Sequence, residues 1–562
     1  METGMDKAGF NLLDEPWVRV RTLEGSVKEL GLLEIFWRAP EIAGLSGESA
    51  TQDMAVFRLL EAILIAAGRR LPITRQTRPA EAWEALQEDQ AYAVRVEEYL
   101  EEHRERLDLF HPTTPFFQVA DLQKSKDEYP DASVLIPDVG PGLFSTRTSV
   151  DSRSLSPAEA ARWLVHRQAY DVSGIKSGTV GDPRVTGGKG YPIGMGWAGA
   201  IGVVQVVGPT LEDTLFLNLP AEELLEHRGS GAEDLAPWER SPDAAAPRDL
   251  EESVPRGVVD VLTWQQRRVR LWRDQDGRVY QVLIANGDKI RRANTFADPM
   301  TGYRYSKAQS KNGIAVYFPR THDPDLTVWR GVQSMFAETA GEVEAGRRPR
   351  NLTQQVDVLD EAISERFEGH QLSLRLVGVE YGTKDAVVLQ EIDESIPVST
   401  QLLSGSGQEL RSEAVRAVEL VMSFRGSFRW FVQQLALCSG ASADEASTDA
   451  VAVWMADLEI AFRLWLAGLG EDFDPAAADM AWRQILRQVS LQHIADAVEA
   501  AGPAAAVGRM EESESGRGIL HSSARYESWA RQKLAKTLAL PETTTTSDAP
   551  PPAGAISTEG SR

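Results

Sequence analysis

Cysteine is almost absent from the sequence, whose 562 residues include one, Cys438. A single thiol excludes a disulfide within the chain and a metal cluster held by several cysteines. The eight histidines are scattered, and none stands in a His-x-x-x-His or Glu-x-x-His pair. The sequence therefore predicts no metal site, and no pattern in it indicates a cofactor.

Long hydrophobic runs are also missing. No apolar segment approaches the ~20 residues of a membrane-spanning helix. The first residues lack the basic and then apolar pattern of a secretory signal peptide. We therefore expect a cytoplasmic protein without a membrane partner.

Positive charge is scarce overall, since 59 Lys and Arg face 83 Asp and Glu, a net charge of −24. A protein that binds nucleic acid by itself is expected to be basic. Residues 256–320 are the exception, with thirteen Lys and Arg against five Asp, a local balance of +8. An acidic body with one basic segment predicts local contact with nucleic acid, assisted by partner proteins.

Glycine, by contrast, is concentrated in residues 174–208, which hold eleven of the 45 glycines. Glycine reaches positive φ cheaply and lets main-chain amides approach a ligand closely. Lys176, Arg184 and Lys189 lie among these glycines. The stretch therefore predicts a loop that presents its backbone to an anionic ligand, although a glycine-rich connection without a ligand stays possible.

Two phosphate-binding motifs fail in this stretch. Gly194, Gly196 and Gly199 have the dinucleotide-binding spacing, but the β-branched run 200–207 that follows predicts a strand rather than the required helix. The P-loop needs a glycine where Pro183 stands and Ser or Thr where Gly190 stands. The hypothesis of a nucleotide-dependent enzyme therefore lacks its strongest sequence evidence.

Periodicity along the chain predicts an α+β fold, with a large mixed α/β N-terminal domain followed by a C-terminal four-helix bundle. The predicted domains are 1–397, a mixed α/β domain with DNA-facing loops; 398–540, the four-helix bundle; and 541–562, a disordered tail. The main predicted elements are helices from Thr51 to Ala67, Glu81 to Arg106, Ser156 to Tyr170 and around 325–339, a strand over 200–207, a hairpin turn at Asp274–Gly277, and a strand from Leu372 to Tyr381 followed by a turn.

Several segments, in this order, resemble the CasA family, the large subunits of the type I-E CRISPR Cascade surveillance complex. They are Phe10-Asn-Leu-Leu-Asp-Glu-Pro-Trp17, Pro115-Phe-Phe-Gln-Val119, the glycine stretch, Trp264-Gln-Gln-Arg-Arg-Val-Arg-Leu271, Phe296-Ala-Asp-Pro299 and the terminal helices. The resemblance covers the chain up to its tail, and the serial order carries it because no single motif is diagnostic.

The resemblance implies a function that composition cannot supply. CasA proteins are not enzymes; they recognise the short motif flanking the target in duplex DNA, help to open the duplex, and recruit a helicase-nuclease. The expected partners are the other Cascade subunits, the CRISPR guide RNA, double-stranded target DNA and the helicase-nuclease effector. Guide pairing would read the long target sequence, while the protein reads only the flanking motif.

The resemblance also implies site residues. A family loop near the guide RNA falls on Phe144, Ser145 and Thr146. The glycine loop that faces the minor groove falls on Gly187, Gly188, Lys189 and Gly190, and a lysine reaching the same groove falls on Lys289. The basic segment adds Arg291 and Arg292 as expected DNA contacts. The family's wedge, a hairpin turn at the duplex edge, falls on Gly382, Thr383, Lys384, Asp385 and Ala386.

This sequence departs from the family pattern twice. Some relatives hold a structural zinc with four cysteines, a site that one cysteine cannot form. The family wedge contains a glutamine, which the turn from Gly382 to Ala386 lacks. If this turn opens DNA, we expect it to act through its shape.

Other interpretations remain open. The chain could be an enzyme with a glycine-rich nucleotide loop, or a scaffold indifferent to the flanking DNA sequence. Phe144 could anchor its own loop, and Arg267, Arg268 and Arg270 could form a solvated strand face. Trp264 and Trp272 are expected in the core.

Overall fold

The structure is a computed structural model, which describes residues 9–71, 77–126, 128–137, 153–226, 234–249, 253–311, 314–322, 366–367, 372–403, 407–469, 474–512 and 518–539. It divides into two compact units, one formed by residues 1–418 and 459–478 and the other by 419–458 and 479–562. No helix among the described residues is long and apolar enough to cross a membrane.

Fourteen strands are found in the described residues, and all of their pairings are antiparallel. They are β1 Val18–Thr22, β2 Val27–Leu30, β3 Ile42–Leu45, β4 Lys176–Ser177, β5 Lys189–Gly190, β6 Val203–Val207, β7 Arg267–Arg273, β8 Val279–Asn286, β9 Tyr303–Tyr305, β10 Tyr317–Pro319, β11 Leu372–Tyr381, β12 Val388–Val398, β13 Arg509–Glu512 and β14 Gly518–His521. Two sheets have three strands, in the orders β2-β1-β3 and β12-β11-β6, and the remaining strands form two-stranded pairs.

Helices alternate with these strands and then dominate the C-terminal part. They are α1 Leu32–Arg38, α2 Ala50–Gly68, α3 Pro79–Gln87, α4 Ala91–Glu102, α5 Pro157–Tyr170, α6 Leu211–Asn218, α7 Glu223–Glu226, α8 Val258–Leu262, α9 Thr400–Leu403, α10 Gln408–Ser439, α11 Ala443–Ala467, α12 Pro475–Val507 and α13 Ser523–Leu538. The predicted mixture of helix and strand is therefore confirmed.

Helix α2 is the centre of the first unit, because it is buried on nearly every face and packs against α4, α5 and α8. Its N-cap is Ser49, whose hydroxyl accepts a hydrogen bond from the Gln52 amide, so the helix begins at Ala50, one residue before the predicted start at Thr51. The Thr51 hydroxyl instead donates to Glu391 Oε1 at 2.8 Å and bonds His166 Nε2 at 3.0 Å. Ser49 lies two residues before Thr51, and serine caps a helix at least as well as threonine does.

The predicted helix from Glu81 to Arg106 is wrong as one element. It is divided into α3 and α4, because Asp89 and Gln90 take left-handed backbone angles, with φ of 51° and 57°. By contrast, the helix predicted to end at Tyr170 is confirmed as α5, with Ser156 accepting from the Glu159 amide at 3.2 Å. The strand predicted over 200–207 begins three residues later, after a 3₁₀ turn at Ala198–Ala200.

Four long C-terminal helices, α10 to α13, carry the apolar positions predicted from the sequence. In the second unit, Trp454 lies with its ring centroid 5.1 Å from that of Phe428, and its indole donates to Ser490 Oγ at 3.1 Å. Trp430 packs on Trp529 with ring centroids 4.3 Å apart. The arrangement as a four-helix bundle, and the domain boundaries at 397 and 540, stay predictions.

Candidate nucleic-acid interface

Gly187 and Gly188 form a two-residue turn between Thr186 and Lys189, directly before β5. Thr186 and Lys189 exchange both main-chain hydrogen bonds, at 3.1 and 3.2 Å. The φ angles of the two glycines are +59° and +74°, and a turn with two positive φ values strongly favours glycine. A Cβ at either position would meet nothing within 4 Å, so this turn is an exposed tip.

The two predicted residues that follow the tip differ in their surroundings. Lys189 is exposed, whereas Gly190 is buried. A Cβ on Gly190 would lie 2.9 Å from Asn286 Nδ2, and the Asn286 amide donates to the Tyr191 carbonyl at 2.6 Å. Gly190 thus lets the hairpin pack closely on the end of β8, while Gly187, Gly188 and Lys189 lie at the surface.

Much of the positive charge around this hairpin is paired inside the protein. Lys176 Nζ lies 2.7 Å from Asp171 Oδ2, and Arg184 Nε lies 2.9 Å from Asp182 Oδ1. Of the three cations predicted to attract an anion, Lys189 is the one that is exposed.

The interpretation of Arg267 and Arg268 as a solvated strand face is wrong. Each side chain is 1% exposed; Arg267 pairs with Asp171, and Arg268 Nη2 lies 2.7 Å from Asp288 Oδ1. The local balance of +8 therefore overstates the basic surface, because Arg267 and Arg268 are buried in ion pairs, Arg267 with Asp171 from outside the segment and Arg268 with Asp288 within it. Trp264 is 3% exposed and belongs to the core, as predicted.

Lys289, Arg291 and Arg292 lie in the segment that follows β8. Lys289 is exposed and comes directly after the paired Asp288. The Arg291 amide donates to the Ser253 carbonyl at 2.8 Å, and its Nε donates to the Ala293 carbonyl at 3.1 Å. Arg292 lies at the surface, and its guanidinium donates to the Ala200 carbonyl at 3.0 Å.

The turn from Gly382 to Ala386 joins the two longest paired strands of the described chain, β11 and β12. The Gly382 amide donates to the Val387 carbonyl and the Asp385 amide to the Gly382 carbonyl, each at 2.9 Å. Lys384 and Asp385 have φ of 60° and 54°, and Thr383, Lys384 and Ala386 are exposed. Val387 and Leu389 beside it are 53% and 61% exposed, so apolar surface flanks the turn.

The base of this turn is fixed against the glycine stretch. The Tyr381 hydroxyl donates to the Tyr170 carbonyl at 2.8 Å, and a Cβ on Gly199 would come within 2.0 Å of that hydroxyl oxygen. Partial burial lowers the pKa of Arg292, an effect that the nearby Asp385 carboxylate opposes. Arg292, Ala200 and the turn are therefore neighbours.

One short segment, residues 286–292, lies beside both the glycine hairpin and the turn at residues 382–386. Its Asn286 end contacts the glycine hairpin, and its Arg292 end contacts the region of the 382–386 turn. Lys289 and Arg292 are three residues apart, a separation of at most ~11 Å. The structure thus brings the predicted elements of the interface together, with the exception of Phe144, Ser145 and Thr146, which lie outside the described residues.

Sequence reasoning missed two arginines beside this site. The charge of Arg304 lowers the pKa of Arg292 and of Arg320, in both cases after a larger effect of burial. Both belong to the basic segment, so its charge count was a signal, but nothing in the sequence showed that β9 and β10 pair and place them near Arg292. No group of His, Cys, Asp and Glu suited to a metal occurs in the described part of the chain.

Comparison with known proteins decides the family. The model of the family described as CRISPR-associated protein Cse1 matches residues 11–493. The chain belongs to the Cse1 family. The resemblance to CasA proteins seen in the sequence is thereby confirmed, since CasA and Cse1 are two names used for the same relative.

Solved structures extend the similarity over almost the whole Cse1 chain. Thermobifida fusca Cse1 has a TM-score of 0.81 and 37% identity, with 95% of this chain and 99% of that one covered. Thermus thermophilus CasA/Cse1 is 28% identical over 423 residues, 73% of this chain and 75% of the relative. A chain of a CRISPR RNA-guided surveillance complex shares the fold, with a TM-score of 0.68 at 18% identity, 94% of this chain and 99% of that one covered.

Proposed function

We propose that this Cse1 protein is the non-catalytic large subunit of a type I-E RNA-guided surveillance complex in antiviral defence. It recognises the protospacer-adjacent motif in duplex DNA through the minor groove, promotes duplex opening and R-loop formation, and recruits the helicase-nuclease. Its partners are the other Cascade subunits, the guide RNA, target DNA and that effector, in the cytoplasm. Membership of the Cse1 family supports the assembly, and the geometry around residues 286–292 supports the DNA contact.

The single observation that carries the DNA-binding part is the joint position of three surface features. Residues 286–292, which carry Lys289 and Arg292, contact the exposed glycine hairpin with Lys189 at one end and lie beside the turn at residues 382–386 at the other. The minor groove offers mainly acceptors and one guanine donor, so main-chain amides and lysine read it degenerately. We therefore expect several related flanking motifs to be tolerated.

The C-terminal helices form a four-helix bundle over residues 398–540 in this proposal. The mixed α/β domain spans residues 1–397, and the disordered tail spans residues 541–562. Phe144, Ser145 and Thr146 would lie at the guide-RNA end of the assembly. The turn from Gly382 to Ala386 would act at the edge of the duplex, where unstacking a base step costs a few kcal/mol.

The test uses the assembled complex and two target duplexes that differ only in the flanking motif. Lys189→Ala together with Lys289→Ala is expected to weaken binding of the correct duplex at least tenfold, because two groove contacts are lost. Lys28→Ala, an exposed lysine on β2, is the matched control and should leave binding unchanged. Equal binding of both duplexes by the unaltered complex would instead favour the scaffold interpretation.

A different measurement tests the competing interpretation, that the chain is a nucleotide-dependent enzyme. A nucleotide enzyme would show metal-dependent cleavage or nucleotide hydrolysis by the pure chain, lost when one cluster of residues is altered. We expect neither activity, because the glycine turn is followed by the short strand β5 and not by a helix that could hold a phosphate.

A further inference from the structure

A polar cavity lies in the first unit, between the sheet β2-β1-β3, helix α2 and the strands β6 and β11. Its volume is about 210 Å³, which far exceeds the ~10–15 Å³ needed to admit one water. Every residue around it belongs to this unit, and none of them is a proposed DNA contact. An inference about this cavity is therefore independent of the proposed function.

Gln205 is the first unusual feature of the cavity wall. It lies on β6, is 5% exposed, and its side chain makes no hydrogen bond within the described residues. Because its amide atoms are accessible from the cavity, water or a ligand there can bond to them. Its neighbour across the strands is Arg375 of β11, which lines the same cavity.

Asp53 of helix α2 provides a second group with unused capacity. Its Oδ1 accepts from the Gly47 amide at 2.6 Å, while Oδ2 has no hydrogen-bond partner in the described chain. Burial raises the pKa of this carboxyl to about 6, although the Gly47 amide and the charge of Arg375 oppose the shift. At neutral pH the carboxyl is mainly an acceptor that lacks a donor.

Two arginines complete the polar side of the cavity. Arg375 donates through Nε and Nη2 to the two oxygens of Asp393, at 2.7 and 3.0 Å, which leaves its Nη1 without a bond among the described residues. Arg21 is exposed and lines the cavity, so it lies at the mouth, and it has no ion pair in the described structure. A guanidinium at a pocket mouth is suited to a phosphate.

The remaining wall is apolar, formed in part by Met54, Phe57 and Leu211. A complementary ligand has a flat apolar body, an edge with a donor beside an acceptor for the Gln205 amide, a further donor for Asp53, and an anionic group at the mouth. A nucleobase has such an edge, and glutamine pairs with adenine through two adjacent hydrogen bonds.

We propose that this cavity binds one 5′-phosphorylated nucleotide, with its base hydrogen-bonded to Gln205 and Asp53 and its phosphate at Arg21. The nucleotide is either a free mononucleotide or the 5′-terminal residue of a nucleic acid strand, since both present the same base and phosphate.

The test is isothermal titration calorimetry of the full chain with AMP, GMP, CMP and UMP, and with the four nucleosides. At least one mononucleotide should bind, more tightly than its nucleoside. Gln205→Leu should weaken that binding about 10- to 100-fold, because one bidentate base contact is lost. Gln281→Leu, the same change on β8, is the control and should have no effect. A 5′-phosphorylated hexanucleotide, compared with the mononucleotide, shows which source is preferred.

Two further variants keep the proposal testable if Gln205→Leu does not fold. Arg21→Ala, at the exposed mouth, should abolish the difference between mononucleotide and nucleoside. Gly44→Leu places a side chain where a Cβ meets nothing within 4 Å, on a residue that lines the cavity, and should block binding. Absence of binding by all four mononucleotides at millimolar concentration would overturn the proposal, and so would binding that survives all three substitutions.

Discussion

At the scale of single residues, the strongest electrostatic feature is the buried Asp171, which is shared by three cations. Arg167, Arg267 and Lys176 all contact its carboxylate, which is fully buried. Burial alone would raise the pKa of Asp171, but the three positive charges hold it far below its usual range. The pKa of Lys176 is also lowered, to about 8, mainly by burial; the attraction of Asp171 opposes this shift, and the charges of Arg267 and Arg167 add to it.

Both pKa shifts are downward, but they favour the charged form of Asp171 and the neutral form of Lys176, so they predict unequal costs of mutation. Asp171→Asn should destabilise the protein by about 3–5 kcal/mol, because it leaves buried cations uncompensated. Lys176→Met should cost less than about 1 kcal/mol, because the two arginines still neutralise the carboxylate. The folded pKa of Lys176 lies below its unfolded value, so unfolding takes up a proton between about pH 8 and 10.5, and stability should rise with pH in that window.

Denaturant unfolding of the three proteins at several pH values measures both effects. The Lys176→Met variant should lose the rise in stability above pH 8, and the Asp171→Asn variant should not regain stability at any pH. Similar costs for the two substitutions would show that Lys176 is a necessary partner of Asp171.

At the scale of elements, the two hairpins of the candidate interface differ in how far the sequence predicts them. The turn after Tyr381 was predictable, because Gly-Thr-Lys-Asp separates two runs rich in β-branched and apolar residues. The turn at Gly187 and Gly188 was predicted as a loop, but not as a tight turn, since the Thr186–Lys189 pair that flanks it is an isolated bridge and the strand that follows, β5, has only two residues. A strand of two residues is too short to show the alternation of apolar and polar residues by which strands are predicted.

The turn at the end of β11 predicts a separation of binding from opening. Replacing Thr383 to Asp385 with Gly-Gly should leave binding to a target with a pre-opened duplex unchanged in the assembled complex. Opening of an intact duplex should fall about tenfold or more, because the inserted bulk that offsets the unstacking cost of a few kcal/mol is gone. Lys384→Ala alone is the milder control.

Strand opening is measured by a fluorescent base analogue next to the flanking motif, and binding by a filter assay on both substrates. Equal loss on the intact and the pre-opened duplex would mean that the turn is only part of the fold. The left-handed Lys384 and Asp385 suit the Gly-Gly replacement, because glycine adopts positive φ without cost to the hairpin.

At the scale of the whole molecule, the sequence predicted the mixture of helix and strand and the family, but not the distribution of charge. Charge counts treat every Lys and Arg alike, whereas Arg58, Arg267 and Arg268 are each 1% exposed and paired with buried carboxylates. Two of these pairs join residues that are distant in sequence: Asp298 pairs with Arg58 from 240 residues away, and Asp171 with Arg267 from 96 residues away. Local patterns cannot show such pairs, because only the folded topology brings them together.

The surplus of acidic residues in the whole molecule makes the remaining exposed cations decisive for DNA binding. Because the protein has a net charge of −24, most of its surface repels a duplex, so contact depends on the few basic groups of the interface.

Neutral substitutions at Lys189, Lys289, Arg291 and Arg292 should each lower the slope of log K against log[salt] by about 0.9 for every phosphate contact that is lost. The assembled complex is titrated with target duplex from low to physiological salt, with Lys28→Ala as the control for a change in net charge alone. The Arg291 guanidinium already donates to the Ala293 carbonyl, so its slope change should be smaller than those of the exposed Lys189 and Lys289. Unchanged slopes in all four variants would show that this surface is solvated and that DNA binds elsewhere.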